Sequence, residues 1–135
     1  MTKILSKSDI IAAQDLQTQE VPVPEWGGSV RVRSLTGTER DAFETCLVKV
    51  VDGKRVPDMD NLRAKLLAAT LVDENGTPLF SVADVGDLSD LGSKSAAALD
   101  RIFGVAQRLN GMAADSVEVA VKNSEPGQSD GSTSV

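Results

Sequence analysis

Apolar positions recur with a period of two over one stretch of this chain and with a helical period over most of the rest. Val21 and Val23 alternate with polar or proline positions, and Val30 and Val32 alternate with Arg31 and Arg33. Gly27-Gly28 stands between the two runs and tolerates the positive φ of a tight turn. The segment predicts an antiparallel hairpin over residues 21–33. Arg31 and Arg33 then face away from the valines, toward solvent or a partner.

Helical spacing surrounds that hairpin. Ser6 precedes KSDIIAA with Asp9 three residues on, which predicts a capped turn of helix from Lys7 to Ala13. So short a helix is stable only if Ile10 and Ile11 dock on the core. Thr36 and Glu39 have the spacing of a capping box and open a helix over residues 37–51, where Phe43, Leu47, Val50 and Val51 share helical spacing. Asp52-Gly53 ends it, and a loop runs through Pro57. A second helix, capped by Asp60, covers residues 61–71 with Leu62, Leu66 and Ala69 on one face. Asn75-Gly76 lies between Leu71-Val72 and Leu79-Phe80 and marks a tight turn, although Pro78 limits this to a small edge hairpin. Ser81 and Asp84 suggest a brief helix through SVADVGDL.

The clearest stripe belongs to residues 94–109, where Leu99, Ile102, Phe103, Ala106 and Leu109 line one face before Asn110-Gly111 stops the helix. Residues 114–122 form a last short helix with Val117 and Val121 on one side. From Ser124 the chain is polar and Ser/Gly-rich, so residues 124–135 are expected to be disordered. The sum is one domain over residues 1–123, α+β and mostly helical: a small N-terminal β-hairpin, then about four helices. Phe43, Leu99 and Phe103 are expected at the centre of its core.

Composition narrows the possibilities. Trp26, Phe43, Phe80 and Phe103 are the only aromatic residues, so Leu, Val and Ala must fill most of the core. The net charge is −6, and no segment concentrates positive charge. Phosphate neutralisation dominates affinity for nucleic acid, which is therefore not an expected partner. Cys46 is the single cysteine and reads as a small buried hydrophobe beside Leu47. No signal segment opens the chain, and its apolar runs fall far short of the ~20 residues of a membrane span. A cytoplasmic protein with no membrane partner is expected.

Catalytic chemistry has little to build on. Histidine is absent, which removes the commonest general base and metal ligand. Asp58, Asp60 and Asn61 resemble the start of a calcium loop, but Arg63 and Ala69 occupy the places that need Gly and Glu. Asp84, Asp87 and Asp90 read as a helix N-terminal acid with solvated neighbours. No glycine-rich phosphate loop occurs. No enzyme, metal or cofactor is expected. Trp26 either covers the hairpin mouth against the Phe43 helix or anchors an interface, because Trp and Arg are enriched at binding hot spots. Arg31 and Arg33 join it as candidate partner-binding residues, arginine being suited to bidentate recognition.

Several stretches in order carry a resemblance: ILSKSDIIAAQDL, VPVPEWGGSVRVRSLTGTERDAFE, LRAKLLAATLVDENGTPLFSVADV, and SAAALDRIFGVAQRLNGM followed by KNSE and the polar tail. Together they resemble the tail assembly chaperones of long-tailed bacteriophages and prophages, over residues 4–123. The resemblance implies an assembly factor of the bacterial host cytoplasm. It would bind the helical tape measure protein and keep it soluble while tail tube protein polymerises around it. It also implies a possible longer form of the chain made by ribosomal frameshifting. The family carries no defined site residues. The alternative role is a structural minor tail or head-tail component retained in the virion.

Overall fold

A computed structural model describes residues 2–112. The expected helix at 114–122 and the tail at 124–135 lie outside the described residues. The elements run α1 (Lys7–Ala12), β1 (Thr18–Val23), a 3-10 turn (Pro24–Trp26), β2 (Gly28–Arg33), α2 (Gly37–Thr45), β3 (Val48–Val51) and β4 (Lys54–Pro57). They continue with α3 (Leu62–Thr70), β5 (Leu71–Val72), α4 (Val85–Gly92) and α5 (Ala96–Leu109).

The first hairpin forms where the period-two pattern predicts it. Val21 pairs with Val30 and Val23 with Gly28. The turn is Pro24–Gly27 rather than Gly27-Gly28: Gly27 takes the left-handed conformation at φ 78° and Gly28 is already in the strand. Pro24 presets the tight turn that the two glycines alone would not. β2 is the central strand of a three-stranded antiparallel sheet in the order β1-β2-β5, with Arg31 opposite Val72 and Val32 opposite Leu71. Pro22 stands on the outer edge of β1, and Pro78 bridges Val72 beyond β5 around the Asn75-Gly76 turn.

The largest departure from the sequence reading is at residues 46–57. α2 does open on the capping box, Thr36 Oγ1 accepting from the Glu39 amide at 3.1 Å while Glu39 accepts from the Thr36 amide at 3.0 Å. It ends at Thr45 instead of running to residue 51. Val48–Val51 then pairs with Lys54–Pro57 as a second antiparallel hairpin. The spacing of Leu47, Val50 and Val51 fits a helix, but β-branched residues favour a strand. Asp52 and Gly53 both adopt positive φ (53° and 77°), the requirement of a two-residue hairpin turn.

Smaller differences follow the same logic. Asn61 at φ 54°, not Asp60, occupies the cap position of α3. Asp84 caps α4 by accepting from the Asp87 amide, which makes the brief helix a full element. α5 buries Ala98, Leu99, Ile102, Val105 and Ala106. Phe103 is only partly buried at the edge of that face, so Ile102 replaces it at the centre.

The core lies between α3, α5 and the inner face of the sheet. Val21, Val23 and Val32 meet Leu66, Leu67 and Leu71 of the α3–β5 segment, Leu99 and Ile102 of α5, and Phe43 and Leu47 from the α2 side. Asn110 closes the assembly: its Oδ1 accepts from the Leu35 amide at 2.6 Å, and its Nδ2 donates to the carbonyls of Arg33 and Ala106. One amide side chain thus ties the end of α5 to the exit of β2.

Candidate functional site

Four parts of the surface offer side chains to a partner. The first is the segment before β1. The Ser6 hydroxyl accepts from the Asp9 amide at 3.2 Å and the Asp9 carboxylate accepts from the Ser6 amide at 3.0 Å, so α1 is capped from both directions. Those hydrogen bonds hold the Asp9 carboxyl below the usual carboxylate range. Among the described residues the helix buries none of its side chains, contrary to its expected dependence on Ile10 and Ile11. Ile4 is 89% exposed, Ile10 61% and Ile11 73%, with Leu5 and Leu16 also exposed. Five large aliphatic side chains within thirteen residues therefore lie in solvent beside a domain that buries comparable ones elsewhere.

The second is the 3-10 turn. Trp26 is 37% exposed there and lines the tip of the first hairpin. Its neighbour Glu25 receives a two-pronged hydrogen bond from Arg101 of α5, both contacts at 2.8 Å. That pair draws the Glu25 carboxyl down to about 2 and fixes the turn against α5. Trp26 thus stands partly exposed on a turn that its neighbour ties to α5.

Arg31 and Arg33 point to the face opposite Val30 and Val32, as the alternation requires, but neither extends freely into solvent. Arg31 bonds Glu20 at 2.8 Å and the Glu74 carbonyl at 3.0 Å. Arg33 bonds Glu39 at 2.7 Å and the Ala69 carbonyl at 3.1 Å, with its Nε buried and without a hydrogen-bond partner among the described residues. Burial raises the Glu39 carboxyl, yet the Thr36 amide and Arg33 outweigh it and leave the group lowered. The sequence places Arg31 and Arg33 on one strand face; it does not show that Ala69, thirty-six residues on, takes one of them. Trp26 and the two arginines do not converge on a single patch.

The third is a groove of about 330 Å³ between α2 and the loop after β5. Phe43, Ala69, Phe80 and Val82 line it, and the Arg33–Glu39 pair closes one side. The fourth is the second hairpin. Lys65 anchors its base: almost fully buried at 6% exposure, it donates to the Cys46 carbonyl at 3.0 Å and the Asp58 carbonyl at 3.4 Å, beside the Asp58 carboxylate. The Asp58 amide also bonds the Leu47 carbonyl at 2.7 Å. The hairpin therefore projects from a fixed base with Val50 and Val51 exposed. The Asp52-Gly53 pair was the sequence signal for it.

Nothing in these surfaces assembles a catalytic constellation. Among the described residues no group of His, Cys, Asp and Glu could hold a metal ion, and no helix is long and apolar enough to cross a membrane. What they offer is apolar contact area. No curated protein and no solved structure matches the chain. The family model for phage tail assembly chaperones matches residues 7–122, nearly the whole sequence, and the chain belongs to that family.

Proposed function

We propose that this protein binds a phage tape measure protein and keeps it soluble during tail assembly, in the cytoplasm of the bacterial host. Membership of the tail assembly chaperone family supports the setting. The observation that carries the binding reading is the exposed Ile4–Leu16 segment, whose aliphatic side chains have no partner within the described chain. Exposed apolar patches on a monomer mark interaction sites. Their natural complement is a long helix with apolar stripes, met by packing of one amphipathic helix along another. Trp26 supplies an aromatic contact at the hairpin tip. Arg31 lies at the margin of the same hairpin, and Arg33 braces it through Glu39 and Ala69.

Co-expression tests this reading. The wild-type chain should raise the soluble yield of the tape measure protein and co-purify with it. Ile10→Ser combined with Ile11→Ser should abolish both effects while the purified variant keeps its fold, because neither side chain is buried. Trp26→Ala should weaken them. A wild-type chain that neither solubilises nor co-purifies with the tape measure protein, and that is found in mature virions, would replace the chaperone reading with a structural one.

A further inference from the structure

The second hairpin leaves a strand edge open and gathers positive charge beside it. The Asp58 amide bonds the Leu47 carbonyl, which marks residues 47 and 58 as a hydrogen-bonded pair at the hairpin base. In an antiparallel ladder such pairs alternate with non-bonded ones. With Lys49 opposite Val56 and Val51 opposite Lys54, these two pairs bond across the hairpin, and the backbones of Val48 and Val50 point outward from β3. On β4 the outward positions are Arg55 and Pro57, and Pro57 has no N–H to offer. β3 and β4 form a sheet of their own, and no described residue bonds the amide or carbonyl of Val48 or Val50. The outer side of β3 therefore presents a continuous run of donors and acceptors, whereas that of β4 is interrupted.

The side chains along that edge say what would fit it. The hairpin carries Lys49, Lys54 and Arg55 against the single Asp52, in a chain whose net charge is −6. None of those three cations has a carboxylate partner among the described residues, whereas Arg31, Arg33, Arg40, Arg63 and Arg101 all do. Val50 is 69% and Val51 46% exposed between them. The pleat places Val48 and Val50 on one face, and Lys49 and Val51 on the other with Lys54 behind Val51. A strand laid along β3 thus meets valines on one face and Lys49 on the other. A segment in which apolar and acidic residues alternate matches both faces at once. Pairing of two β3 edges would instead bring Lys49 of one chain close to Lys49 of another, which like charges disfavour.

We propose that the outer edge of β3 is a docking site for an extended, carboxylate-bearing segment of a partner protein, which joins the hairpin as a third strand. Main-chain bonds to Val48 and Val50 supply affinity, and the alternating side chains supply selectivity. The Lys65 anchor at the hairpin base holds the edge in place before the partner arrives, so little ordering is left to be done on binding. This contact is separate from the Ile4–Leu16 segment and calls for a different chemistry, an extended acidic chain rather than an apolar helix. A strand of four residues offers only a short ladder, so binding is weak and is reduced by salt.

Fluorescence anisotropy tests the idea, with a short capped and labelled peptide of alternating valine and glutamate titrated with the purified full chain. The wild type should give a saturable rise that shrinks at high salt, and the same peptide with lysine in place of glutamate should give none. Val50→Pro removes the outward N–H but no bond within the hairpin, and should weaken binding about tenfold or more with unchanged circular dichroism. Val50→Ala keeps that N–H and should bind more tightly than Val50→Pro. Lys49→Glu combined with Lys54→Glu should also lose binding and keep the fold, because both side chains are exposed. A wild type that does not bind the peptide would overturn the proposal, as would full binding by Val50→Pro or an equal loss in Val50→Ala. Binding that appears only in a Glu118→Lys variant would overturn it in favour of this chain's own C-terminal segment, and anisotropy that falls again as the chain is raised would do so in favour of a second copy.

Discussion

Phe43 and Phe103 look equivalent in the sequence, each a large ring on an apolar stripe, and the structure separates them. Phe43 is 1% exposed and touches the central cluster, whereas Phe103 is only partly buried at its margin. For Phe43→Ala the lost transfer free energy is about 2–3 kcal/mol. A cavity on the order of 100 Å³ would add about 2 kcal/mol if nothing relaxed. Here relaxation is possible, because Phe43 also lines the open groove with Phe80 and Val82, which can move inward. We expect a cost of about 3–4 kcal/mol for Phe43→Ala. Phe103→Ala should cost about half as much, having less buried area to lose. For a domain of this size, ~1 kcal/mol moves the melting midpoint by about 4–8 °C. The two variants should therefore be clearly resolved by thermal melts followed by circular dichroism, with urea unfolding to supply the free energies. A Phe103→Ala variant less stable than Phe43→Ala would refute this account of the core.

Asn110→Ala removes the two hydrogen bonds that join the end of α5 to the exit of β2, with a third to the Ala106 carbonyl, and should cost about 1–3 kcal/mol, mainly by leaving the partly buried Leu35 amide without its acceptor; an unchanged urea midpoint would count against the clamp. Glu25 has an ordinary value of 4.5 and is held at about 2 by Arg101, so its stabilising contribution is complete above about 4.5 and is lost as pH falls through about 2. In acid titrations followed by thermal melts, Glu25→Gln should flatten the decline within that window, and parallel profiles for the two proteins would argue against the pair.

What could be read from the sequence was what neighbours decide among themselves. The capping boxes at Ser6 and Thr36, the Val21–Val32 alternation and the Asn75-Gly76 turn each need only a few consecutive residues, and each appears where expected. Residues 46–57 failed because two local signals competed. Leu47, Val50 and Val51 have helical spacing, while the β-branched run and Asp52-Gly53 favour a hairpin, and the hairpin signals win. For the surface, side-chain direction was legible but side-chain engagement was not. Arg33 does face away from Val32, yet its partner at Ala69 comes from another element. Nor could Ile10 and Ile11 be distinguished from buried isoleucines, since docking depends on where the rest of the chain lies.

The prolines at the margins of the three-stranded sheet limit how anything can attach to it. Ser34 donates to the Gln17 carbonyl at 2.8 Å, which sets the alternation along β1: residues 19, 21 and 23 bond inward, and the backbone of 18, 20 and 22 points out. Pro22 thus sits where an outward N–H would otherwise invite another strand, and Pro78 does the same beyond the two-residue β5. A foreign chain cannot add itself to this sheet as a continuous extra strand. Whatever meets this sheet is met by side chains rather than by a shared hydrogen-bond ladder.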